Sequence, residues 1–230
     1  MSGRAIEVDL EIGVKRAFAC AVEWPGWCRN GRDERSALDA LVAYGPRYAE
    51  VLRGTRTAFR TPRDAQAVSI LERVEGNATT DFGAPGGVFA SDERAIERRD
   101  LTRLLRILEA CWSAFDRATE GAVGVSLRKG PRGGGRDLEK IVGHVVGAES
   151  GYVRSLAASS PKVDERHPSA ATDVVRDAVQ DALSRAVEGA LPERGPRGGV
   201  LWTPRRFLRR AAWHVLDHSW EIEDRMETEP

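Results

Sequence analysis

Cysteine is scarce in this 230-residue chain, and so are lysine and long apolar runs. The three cysteines, Cys20, Cys28 and Cys111, are odd in number and lack CxxC spacing. That argues against a disulfide framework or a zinc knuckle and leads to an expectation of three reduced thiols, with Cys111 in a core. No run of 18 apolar residues occurs, which excludes a membrane-spanning helix, and the polar, alternating start "MSGRAIEVDLEIGV" argues against a signal peptide. The expected location is the cytoplasm, with no membrane partner. Net charge is absent too: 35 basic residues face 35 acidic ones, and up to residue 90 the count is 12 against 12. A general nucleic-acid binder carries a basic excess, so nucleic acid is not an expected partner. Arginine outnumbers lysine 31 to 4, an excess that reads as coding bias and is poor evidence for phosphate binding.

What is present changes character near residue 90. In "AIEVDLEIGV" Ile6, Val8, Leu10 and Ile12 share one side of a period-2 strand, and Phe18, Cys20 and Val22 alternate in a second that ends at a Pro-Gly turn. "WCR" makes a short third strand, "DERSALDALVAYG" a helix, and "AQAVSILERVEG" a further strand. Trp24 and Trp27 flank the Pro-Gly turn, where packing on the rest of the molecule is favoured over an exposed contact patch. From Ser91 onward four amphipathic helices are expected, over about 92–119, 137–158, 172–190 and 203–226. Asp137 and Thr203 are the expected N-caps of the second and fourth, and Pro204 occupies the first helical position of the fourth. The class is therefore α+β: a small unit over 1–90 followed by a four-helix bundle over 91–230.

The chemistry concentrates in "WHVLDHSW". His214 and His218 lie one turn apart on the apolar face of the fourth helix. Two imidazoles on such a face each need a partner, and one divalent metal satisfies both. His144 faces inward on the second helix, and antiparallel packing of the two helices brings all three rings to similar depth. Three neutral imidazoles without an evident fourth protein ligand is the pattern of a catalytic metal with an open position. His167 is left over in a linker and reads as solvated. Glu221, three residues after His218, is open to three functional roles, as fourth ligand, general base and acceptor for an imidazole N–H, beside a plainer one as a solvated glutamate. Gly143, Gly147 and Gly151 form a small-residue stripe on the second helix, which favours close approach of a neighbouring helix over open space for a substrate beside His144. The motif "GPRGG" occurs twice, at 130–134 and 195–199, each ahead of a helix. The first copy puts Arg132 and Arg136 beside a helix N-terminus, a combination that attracts anions, with a merely mobile loop as the plainer alternative. The second brings Arg205, Arg206, Arg209 and Arg210 to the start of the fourth helix against its dipole, so compensation is expected from Glu188 and Glu193 or from the N-terminal unit.

Histidine in the second helix of a four-helix bundle with "HVLDH" in the fourth resembles the DinB/YfiT-like superfamily, over about residues 92–226. The resemblance implies an up-down-down-up bundle, zinc or nickel at His144, His214 and His218, and a low-molecular-weight thiol such as mycothiol or bacillithiol as co-substrate. It thus implies a thiol-dependent transferase, isomerase or hydrolase acting on a small molecule, with Glu221 as the catalytic candidate and Arg132 and Arg136 as candidates for binding a co-substrate. "RAFACAVEWPGWCRNGRDERSALDAL" is similar to a HicB-like domain, over about residues 5–75. The competing expectation is a non-catalytic metal- or ligand-binding protein with the HicB-like unit as interaction module. A homodimer is compatible with the sequence, although no feature of it demands one.

Overall fold

The structure is a computed structural model that describes residues 5–129, 135–164, 167–195 and 198–227. The alternating N-terminal segments form strands β1 (Ile6–Ile12), β2 (Ala17–Ala21) and β3 (Cys28–Gly31), and the later apolar run forms β4 (Val68–Glu75). They build a mixed sheet of order β3-β2-β1-β4, in which β1 pairs antiparallel with β2 and parallel with β4. Helix α1 (Glu34–Ala43) starts at Asp33, whose side chain accepts from the Ser36 N–H, and packs on β2 and β3. Two short helices escape the sequence pattern because neither is long enough to show a period: α2 (Gly45–Val51) and α3 (Ala78–Phe82).

The face of β1 opposite Val8 and Leu10 is also buried. Asp9 and Glu11 are almost fully enclosed, because the segment from α3 to the 3-10 turn at Ala90–Glu93 folds over them. Thr80 Oγ1 and the Gly86 N–H donate to Glu11, and Ser91 Oγ donates to Asp9. A polar stripe that alternation would leave in water is therefore partly satisfied internally: one oxygen of each carboxyl is bonded, while Asp9 Oδ1 and Glu11 Oε2 have no hydrogen-bond partner among the described residues.

The four expected long helices are α4 (Arg98–Gly121), α5 (Leu138–Arg154), α6 (Thr172–Val187) and α7 (Pro204–Arg225). The expected caps are in place: Asp137 accepts from the Lys140 N–H and Thr203 from the Arg206 N–H. Contacts at their ends set their senses. Thr203 and Arg205 donate to the Asp92 and Arg94 carbonyls ahead of α4, and Leu127 pairs with Met226 after both helices end, so α4 and α7 run together. Arg225 reaches the Arg136 carbonyl before α5, and the Trp202 N–H reaches Ser155 after it, so α5 opposes α7. Arg176 near the start of α6 pairs with Asp116 late in α4, and Glu188 with Arg98, so α6 opposes α4.

The hydrophobic core runs without a break from Val8 and Leu10 through Trp27 and Leu41 to Leu108, Val145, Val179 and Leu216. The join is the Pro-Gly turn. Trp27 is fully buried, donates from Nε1 to the Leu41 carbonyl at 2.9 Å and stacks on Tyr48, while Trp24 and Phe59 close the cluster. Gly26 presses between α4 and α7: a Cβ there would sit 2.8 Å from Leu216 Cδ1 and 3.2 Å from Cys111 Sγ. Packing, and not an exposed patch, is thus what the two tryptophans do.

Other expectations are corrected. Cys20 and Cys28 are not free thiols: they face each other across β2 and β3, with Cα atoms 4.1 Å apart, and are joined as a disulfide. That removes the cysteine-based argument for a reducing compartment. Cys111 is buried and free, and burial pushes its thiol far up. The glycine stripe of α5 does not seat a close helix at Gly147, which is exposed and has open space around it among the described residues. None of the described helices is long and apolar enough to cross a membrane.

Two stability predictions follow from these contacts. Gly26→Ala combines a φ of +92° with the clash on Leu216, and is expected to lower unfolding free energy by roughly 2 kcal/mol or more in a denaturant titration. Glu149 is buried on α5, accepts from Trp112 Nε1 at 2.5 Å, and is pushed up to about 7 by burial. The unfolded chain ionises at this position from about 4.5 while the native one keeps its proton, so stability is lost as pH rises between those values and levels off above them. Glu149→Gln is expected to remove that fall, gaining about 3 kcal/mol relative to wild type between pH 4.5 and pH 8 in thermal melts.

Candidate metal centre

Helices α5 and α7 bring the three predicted histidines together. One ligating nitrogen from each of His144, His214 and His218 lies within 4.8 Å of the others, the only such trio among the described residues. The ring centroids are 4.7–4.9 Å apart and each pair meets edge to face. His214 is buried, His218 half-buried, and His144 closes the group from α5 on the solvent side. His214 Nε2 and His144 Nε2 are 3.0 Å apart. Two nitrogens each about 2.0–2.1 Å from one ion lie roughly 2.9–3.4 Å apart for bond angles of about 90–109°, so the pair already has ligating spacing.

Protonation states point the same way. His218 Nδ1 contacts Glu221 Oε2 at 2.7 Å. A carboxylate can only accept, so Nδ1 carries a proton. Burial, with His218 and Arg136 nearby, drives His144 down to about 4. Burial and the neighbouring His218 and His144 put His214 well below its ordinary value. Both are neutral near pH 7, the form a metal requires. His214 Nδ1 is buried without a hydrogen-bond partner among the described residues. A ring that ligates through Nε2 carries its proton on Nδ1, so this nitrogen stays without an acceptor whether or not a cation is held.

Glu221 is not a solvated glutamate. Its Oε2 takes His218 and its Oε1 takes Arg225 Nη1 at 2.7 Å, and these bonds hold its carboxyl down at about 2. Arg225 is buried and fixed in turn by the Arg128 carbonyl at 2.7 Å and the Arg136 carbonyl at 3.0 Å. The result is a relay from the entry of α5 through Arg225 and Glu221 to the ring of His218. Sequence reasoning passed over Arg225, although its position four residues after Glu221 carried the signal. It also passed over Tyr152, whose ring lies 5.9 Å from that of His214.

The remaining candidates separate. Arg136 is exposed, and its charge reaches His144 and His214. Arg132 and the rest of the first GPRGG motif lie outside the described residues. In the second motif the Gly195 N–H donates to the Gly199 carbonyl at 2.9 Å, while residues 196 and 197 are not described. His167 is exposed. A shallow cleft of about 530 Å³ between α1 and the Asp64–Gln66 turn shares no residue with the histidines.

Compared with known family models, curated proteins and solved structures, the chain has no match. Glu221→Gln keeps the shape of the acceptor and removes its charge, so zinc affinity measured by competition with a chromophoric chelator should fall about tenfold or more. An unchanged affinity would show that Glu221 does not act on the metal through His218.

Proposed function

We propose that the protein is a metal-dependent enzyme of DinB-like type, acting on a small molecule with a low-molecular-weight thiol such as mycothiol or bacillithiol as co-substrate, in a transferase, isomerase or hydrolase reaction. The observation that carries this reading is the trio of imidazoles with ligating atoms within 4.8 Å. His144, His214 and His218 would hold a divalent ion, zinc or nickel, which supplies Lewis acidity at an open position and lowers the pKa of a water or thiol there toward neutrality.

The protein's own residues do the rest. Glu221 turns and polarises His218, and Arg225 keeps Glu221 ionised and in place. A carboxyl held down at about 2 is a weak base near pH 7. Glu221 is therefore proposed as a positioning residue, which narrows the catalytic role that the sequence left open to it. Ala211 and Ile222 on α7 and Val145 on α5, one turn or one residue from the histidines along their helices, are buried.

Helix senses support the DinB-like resemblance: α4 and α7 run one way, α5 and α6 the other, which is an up-down-down-up order. The three strands, the helix α1 and the later strand β4, with the short helix α2 added between them, support the HicB-like one. Because the core runs unbroken from the sheet into α4 and α7, that unit supports the metal-bearing helix in this reading and is not a detachable interaction module.

Metal content by mass spectrometry of tag-free protein tests the proposal. About one equivalent of zinc or nickel is expected in the wild type, lost in both His144→Ala and His218→Ala. No metal after reconstitution, with the wild type folded, would refute it.

A further inference from the structure

We infer that Arg206 and Arg210 form a binding site for the carboxylate of an anionic small molecule, placed so that the other end of that molecule meets the histidine trio. The inference rests on the metal-dependent reading above and names the charge class of what the site takes.

Four arginines crowd the first half of α7, and the structure divides them into two pairs. Arg209 is buried and closed by Asp92, with contacts of 2.7 and 3.0 Å, and by the Gly87 carbonyl. Arg205 pairs with Glu23 at 3.3 Å and donates to the Arg94 carbonyl. The compensation expected for this helix start thus comes from the N-terminal unit and the turn before α4; Glu188 is engaged with Arg98 instead. Arg206 and Arg210 have no carboxylate within ion-pair distance among the described residues. Arg210 is held only by neutral acceptors, the Pro85 carbonyl at 2.7 Å and Tyr152 Oη at 3.3 Å. Arg206 lies over the Trp202 ring, 4.9 Å from its centroid, and makes no side-chain hydrogen bond among the described residues.

Neither guanidinium is closed by an ion pair among the described residues, although Asp92 and Glu93 lie near enough to Arg206 to offset part of its charge. Burial, with Arg209 and Arg210 close by, lowers the Arg206 pKa from its ordinary value. Arginine is also the residue whose planar fork grips a carboxylate with two parallel bonds.

Placement makes the pair part of the metal site. Tyr152 is the hub: its ring lies 5.3 Å from Trp202, 5.9 Å from His214 and 6.0 Å from the Arg210 guanidinium. Arg210 precedes His214 by one turn and Arg206 by two, about 6 and 12 Å of helix rise. Trp202 and Tyr152 offer flat apolar faces between the cations and the imidazoles, which suits a carbon chain or a ring bearing the acid. Arg210 also braces Tyr152, so its loss would disturb the wall itself; Arg206 is the cleaner site to change.

The test compares two thiols long enough to span from Arg206 to the trio on the cobalt(II)-loaded protein, 8-mercaptooctanoate and neutral 8-mercapto-1-octanol, through the thiolate-to-cobalt absorption band at constant ionic strength. The wild type should prefer the carboxylate-bearing thiol about tenfold, the scale of one charged hydrogen-bonded contact. Arg206→Met should abolish that preference and Arg206→Lys should keep part of it. An equal preference in wild type and Arg206→Met overturns the inference. Should cobalt fail to bind, the metal reading falls, and the arginine pair is decided separately on metal-free protein. Saturable quenching of tryptophan fluorescence by inorganic phosphate that disappears in Arg206→Met supports the pair, and no such quenching overturns it.

Discussion

Helix α7 is wedged between the sheet and the other long helices, and the contact that fixes it is the Pro25–Gly26 turn against Leu216, Ala212 and Cys111. A Cβ there would sit 2.8 Å from Leu216 Cδ1 and force that side chain to shift, and the φ of +92° disfavours any residue but glycine. From that point α7 is committed on several sides at once. Trp213 joins Phe18 and the Cys20–Cys28 pair on one face of the sheet, Leu208 and Leu216 join the main core, and Trp220 meets Tyr44 beyond α1. His214 and His218 therefore inherit their orientation from the sheet as much as from the bundle, and a helix so enclosed has little freedom to turn the imidazoles away from α5.

Charge is distributed along α7 in a way that dipole reasoning alone does not anticipate. Arginines at its start and carboxylates at its end are both unfavourable for the helix in isolation. Tertiary partners neutralise most of them: Asp92 and Glu23 serve Arg209 and Arg205, while Arg47 takes Glu223 and Asp224 at 2.6 and 2.9 Å. Glu221 is spent on His218 and Arg225. After this accounting the charges left unpaired on the first half of the helix, Arg206 and Arg210, are those next to the histidines. Charges in pairs hold the helix in place.

Burial acts on the site and on the core through the same physics with opposite chemical results. It keeps His144 and His214 neutral and so able to ligate, and it keeps Glu149 protonated on another part of α5, against Trp112 of α4. Glu221 sits in similar surroundings yet stays ionised, because hydrogen bonds from His218 and Arg225 outweigh desolvation. Proton state along this helix pair is thus decided by whether a donor is within reach, more than by depth alone.

Much of this architecture was legible in the residues. Period-2 alternation in 6–12 and 68–75 and period-3.6 stripes after residue 91 depend only on which side chains avoid water, and local caps such as Asp33, Asp137 and Thr203 are satisfied within three residues of themselves. The spacing of His214 and His218 is a local property as well, fixed by helix geometry. Everything that required two distant segments to meet was decided by the tertiary structure. The Cys20–Cys28 pairing needed the register of β2 on β3, the burial of Asp9 and Glu11 needed a lid from residues 76–93, and the open space at Gly147 needed the absence of a facing helix there. The approach of His144 to His214, and the sorting of four arginines into two that are paired and two that are not, depend on partners 70 to 180 positions away. A sequence states what each residue can do at short range; only the packed chain determines which long-range partner it finds, because that choice is made by the whole core at once.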